Sequence, residues 1–76
     1  MSTKNNLGVF QQTLNNLRID FVVEELKKNK KWQKYAISSI ATEVGFNTSE
    51  SFSSAFFKRT SIKPSYFIKE LQKLKD

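Results

Sequence analysis

The chain contains no cysteine and no histidine. Those absences remove disulfides, thiolate nucleophiles, the usual zinc ligands and the commonest general base. Proline occurs once and glycine twice, too few for an all-β domain built on tight turns. No uninterrupted apolar run approaches the roughly 18 residues that span a bilayer, and the opening MSTKNNLGVF has no apolar signal core. The expectation is a cytoplasmic chain without metal or cofactor. It is also not expected to be an enzyme, because serine with lysine is the sole catalytic pairing on offer and nothing places the two together.

What is present favours helices. At 76 residues with 38% hydrophobic content and seven Phe, the chain has material for one domain with a small core. Thirteen Lys and Arg stand against seven Asp and Glu, a net +6, and an excess of that size attracts polyanions at long range. Double-stranded DNA is the leading expected partner.

Residues 1–9 show no clear period and are expected to be a loose amino terminus, with the folded unit over 10–76. From Phe10 two stripes run at helical spacing: Phe10, Leu14, Leu17 and Phe21 on one side, and Ile19, Val22, Val23 and Leu26 nearly opposite. A helix packed on a single small body needs only one such stripe, so the second implies another domain, another chain or a returning terminus on its far side. Five lysines between Lys27 and Lys34 complement the dipole at the helix end. They suit either a solvated helix end or a loop on phosphate.

Ile37, Ile40, Ala41 and Val44 then mark a short amphipathic helix that meets Gly45. Glycine tolerates the left-handed backbone that closes a helix, and Phe46 is placed to fold back on Ala41 or Ile40. Asn47 and Glu50 have capping-box spacing, although Thr48 can serve as the cap instead. A second helix over about 48–60 is expected two or three residues after the first. It carries Phe52, Ala55 and Phe56 inward, with Glu50, Ser54 and Phe57 outward between Ser53 and Lys58. Pro64 opens a last helix through Tyr66, Phe67, Leu71 and Leu74. The expected fold is all-α, with about four helices, and the pair around Gly45 is a helix-turn-helix. The second helix of such a unit lies in the DNA major groove, and short side chains let its backbone approach base edges.

The run IATEVGFNTSESFSSAFFKRTSIKPSYF resembles the second helix-turn-helix of the AraC/XylS transcription regulators, a homeodomain-like arrangement. The residues that carry the likeness are Ile40, Ala41, Gly45, Phe46, Phe52, Phe56, Pro64 and Tyr66; with Val44 they are expected to form the turn and core of the motif. The upstream FQQTLNNLRIDFVVEEL is similar to that family's linker helix. The resemblance implies a sequence-specific DNA-binding module whose base-facing positions fall on Ser49, Glu50, Ser53, Ser54 and Phe57. Phe57 either meets thymine methyls or leans on the carboxy-terminal segment. Phosphate contacts would fall to Lys34, Ser38, Thr48, Lys58 and Arg59, because helix amino termini and basic tips suit anions.

The resemblance further implies that a first helix-turn-helix and a signal-sensing region of a longer parent, cytoplasmic and nucleoid-associated or tethered to a membrane, are missing partners. One of the two stripes of the first helix would face that missing unit, and the residues leave open which. Ser54, Phe57 and Ser61 stand where the family favours a basic residue, Lys and Gly, so affinity of this unit alone is expected to be low. The alternative is a protein-interaction or homodimerisation module that uses the spare stripe.

Overall fold

The computed structural model describes the backbone of residues 3–74 and the side chains of residues 10–74. It is all-helical: α1 (Thr3–Lys28), a 3-10 turn (Trp32–Lys34), α2 (Ile37–Glu43), α3 (Ser49–Thr60) and α4 (Pro64–Leu74). The expected four helices are present. The first begins at Thr3 rather than at Phe10, ahead of any apolar period that would reveal it.

α1 buries the stripe Ile19, Val22 and Leu26, each fully inaccessible, with Val23 packed beside it. Phe10, Leu17 and Phe21 on the other stripe are 63%, 60% and 53% exposed. The helix ends on Lys27 and Lys28, where positive charge suits the dipole. One free carbonyl at that end, Leu26, accepts from the Gln33 side-chain amide at 2.8 Å, so the 3-10 turn satisfies a group the helix leaves open. Trp32 in this turn packs edge-on to Phe21 at 6.0 Å between centroids and lies 6.2 Å from Tyr35. Gln72 of α4 donates to the Gln33 carbonyl at 3.3 Å, tying the chain's last helix to the same turn.

The core joins the α1 stripe to Ile40 and Ala41 of α2, Phe46 of the following turn, Phe52 and Phe56 of α3, and Ile68 of α4. Four phenylalanines form its spine: Phe46, Phe52, Phe56 and Phe67 follow one another at 5.6, 5.9 and 5.7 Å. Such offset and edge contacts add to the area term, and truncating a fully buried Phe52 or Phe56 to Ala costs about 3–5 kcal/mol. Ala41 is 1% exposed, and its small size fits the place where α2 meets its neighbours. In α4 the buried residues are Pro64 and Ile68, with Phe67 and Leu71 packed against the core. Tyr66 was expected to belong to that core; it is 55% exposed, and Leu74 is 81% exposed. The helical phase puts the neighbours Phe67 and Ile68 inward and turns Tyr66 out.

Candidate nucleic-acid interface

The five residues from Val44 to Thr48 connect α2 to α3, somewhat more than the two or three expected. Gly45 has φ +95°, in the region that side chains disfavour. Its amide donates to Thr42 at 3.1 Å, and the Phe46 amide donates to Ala41 at 2.9 Å. These are the paired bonds of a Schellman helix end, with Phe46 and Ala41 both buried in the same core cluster. Arg18 of α1 spans this bend, with its guanidinium carbon 5.5 Å from the Phe46 ring centre.

The cap of α3 differs from the favoured expectation. Thr48, not Asn47, is the N-cap, and its Oγ1 accepts from the Ser51 amide at 3.0 Å. The Thr48 hydroxyl donates in turn to Ser51 Oγ at 3.1 Å. Starting one residue later moves Ser51, rather than Glu50, to the third helical position, so the expected Asn47–Glu50 capping box does not form. At its other end α3 closes on Ser61, which has φ 67° and donates its amide to Phe57 at 2.7 Å. A serine here adopts a left-handed conformation that glycine takes more easily. Thr60 supports it: its hydroxyl lies 2.8 Å from the Phe56 carbonyl and 3.1 Å from both the carbonyl and the amide of Ile62.

With Phe52 and Phe56 fixed inward, helical geometry turns Glu50, Ser54 and Phe57 to the opposite side. All three are exposed, Phe57 by 50%. Phe57 is not part of the core cluster, so it is an apolar protrusion on this face. Ser49 and Ser53 are half-buried at its margin. The face therefore keeps the expected residues together, with Glu50, Ser54 and Phe57 central and Ser49 and Ser53 beside them. On its flank a cleft of about 820 Å³ separates α3 from α1, bordered by Gln12, Asn16, Asn47, Ser51, Ser54 and Lys58. Sequence pattern alone does not reveal this amide-rich groove, because its two walls lie far apart in the chain.

Of the expected phosphate contacts, Lys34, Ser38, Thr48 and Lys58 are exposed. Neither Lys34 nor Lys58 takes part in an ion pair among the described residues. Arg59 is different. Its Nε and Nη2 donate to the two carboxylate oxygens of Asp20 at 3.0 and 2.9 Å. The hydrogen bond from Arg59 holds the Asp20 carboxyl below its ordinary value, and the same bond raises Arg59. Arg59 thus forms a brace between α3 and α1. Asp20 is 39 residues away, and no local pattern announces such a pair. Both side chains remain about half exposed, so the brace orients more than it stabilises.

Among the described residues no group of three potential metal-ligating side chains converges, and no helix is long and apolar enough to cross a membrane. No family model, curated protein or solved structure matches the chain.

Proposed function

We propose that the chain is a double-stranded DNA-binding module of the AraC type, with α3 lying in the major groove. The single observation that carries this reading is the outward face of α3. A left-handed Gly45 turn and an aromatic core on one side of the helix leave Glu50, Ser54 and Phe57 exposed on the other. Ser54, with Ser49 and Ser53 at the margin, is short enough to permit close approach of that part of the helix backbone to base edges. The +6 charge and Lys34 and Lys58, both exposed and outside any ion pair among the described residues, supply the electrostatic attraction to phosphate.

On this reading binding is weak and only mildly sequence-selective. None of the face residues is an Arg, Asn or Gln able to make a bidentate base contact of about 1–3 kcal/mol, and Glu50 repels phosphate while accepting from cytosine amino groups. Phe57 contributes an apolar contact to thymine methyls. A regulator of transcription would need a second such unit for useful affinity.

The test is a titration with short duplexes at several salt concentrations, combined with amide chemical-shift mapping. Affinity should fall steeply with salt, shifts should centre on residues 48–58, and Lys58→Ala should lower the log–log salt slope by about one. Binding with little salt dependence, or shifts confined to α4, would refute the reading.

A further inference from the structure

Phe10, Leu14, Leu17 and Phe21 follow one another at spacings of four, three and four residues, which is the a/d pattern of a helix-pairing seam. Leu14 is half-buried, and the other three are more than half exposed. We infer that a second copy of this chain covers the seam, pairing its own α1 antiparallel to the first.

Three observations select that occupant and that direction. The spacing reads the same from either end, so an antiparallel copy sets Phe10 against Phe21 of the other copy and Leu14 against Leu17 of the other copy. Either direction meets the self-complementarity a two-fold interface requires, so the spacing admits a second copy while charge and shape set its direction.

The second observation is charge. Residues 10–21 carry only Arg18 and Asp20, and both are engaged within the chain, Arg18 over Phe46 and Asp20 with Arg59. These two charges cancel, so the whole of the +6 lies elsewhere. Antiparallel pairing carries the lysine-rich ends, Lys27–Lys34, to opposite ends of the seam. Parallel pairing would set them side by side and would bring Asp20 against Glu25 of the other copy, a like-charge pair.

The third is shape. A shallow, open hollow of about 510 Å³ lies beside the seam between Leu17, Arg18 and Phe21 of α1 and the segment Thr42–Gly45. It lies next to Phe21, where antiparallel pairing delivers the second copy's Phe10.

The four side chains contribute on the order of 400 Å² per copy, about half of what a standard stable interface buries on each side. The dimer is accordingly weak and concentration-dependent, and salt tightens it by screening the repulsion between the two basic bodies. Salt weakens DNA binding, so the two proposals separate in one titration.

The experiment is analytical ultracentrifugation of the full chain from roughly 10 µM to 1 mM, at low and high salt. The 8.8 kDa mass should rise toward its double with concentration, and more readily at high salt. Leu17→Glu, at an exposed site, should weaken association by about tenfold or more while leaving the melting temperature within error. Because the chain has no cysteine, Leu14→Cys and Leu17→Cys report direction. Mixed together, they should form the heterodisulfide faster than either forms its own. A monomer throughout, a dimer indifferent to Leu17→Glu, or preferential Leu14→Cys homodisulfides would each overturn the inference.

Discussion

Replacing Gly45 by Ala tests the bend on which the outward face of α3 depends. An added Cβ would sit 3.4 Å from the Arg18 guanidinium, an ordinary contact with the far end of a flexible side chain, so collision contributes little. The cost lies in the backbone. At φ +95° an L-residue incurs about 1–2 kcal/mol of local repulsion, partly offset by the smaller entropy of an unfolded chain with Ala in place of Gly. A net loss of about 1 kcal/mol is expected for Ala and roughly 2–3 kcal/mol for Val, whose branched side chain suits this region least. In a domain of this size each kcal/mol lowers Tm by about 4–8 °C. Thermal unfolding followed by circular dichroism reads this directly. A synthetic chain with D-Ala at the same position provides the control, since a D-residue favours positive φ; it should melt at or above the parent temperature. An Arg18→Ala background should change the Gly45→Ala cost by less than about 0.5 kcal/mol. If L-Ala melts with the parent, or if the whole cost vanishes with Arg18 truncated, the argument from backbone strain is wrong.

Other perturbations address the ends and the brace of α3. Ser61→Gly should raise stability by roughly 0.5–1 kcal/mol, because the position is already left-handed; a lower Tm would mean that the Ser61 side chain has a role its contacts do not reveal. Thr48→Ala should cost about 1 kcal/mol and Asn47→Ala nearly nothing, and the reverse order in melting experiments would return the cap to Asn47. Asp20 is held below its ordinary carboxyl value by Arg59, so its contribution is present above that ordinary value and lost as pH falls through the folded one. Asp20→Asn should therefore narrow the acid-side loss of stability in melts at low salt and leave the curve near neutrality parallel to the parent, whereas an unchanged acid limb would show that the brace carries no pH dependence.

The sequence made the local devices legible and left most of the distant ones hidden. Glycine and a following aromatic predicted the Schellman turn because both of its hydrogen bonds lie within six residues. The inward run Phe52, Ala55 and Phe56 fixed the phase of α3 by period alone. The cap stays open between two residues in the sequence, since Asn47 and Thr48 are adjacent and both chemically suited; the Ser51 amide, at 3.0 Å from Thr48, decides between them. Tyr66 and Phe67 posed the same kind of choice, and the helix phase after Pro64 turned the first outward. The two stripes of α1 were visible as a pair, but which one faces the core depends on how the distant α3 lands. The pairing of Arg59 with Asp20 was hidden because the two lie in different helices.

Trp32 is the chain's single tryptophan, and its ring stands edge-on to Phe21 of the exposed seam and near Tyr35. Its fluorescence is therefore an internal optical reporter set where the basic loop meets the first helix. Anything that lies over Phe21 dries the indole's surroundings and moves its emission to shorter wavelength. The emission of the protein thus reports cover of that seam, with no label attached.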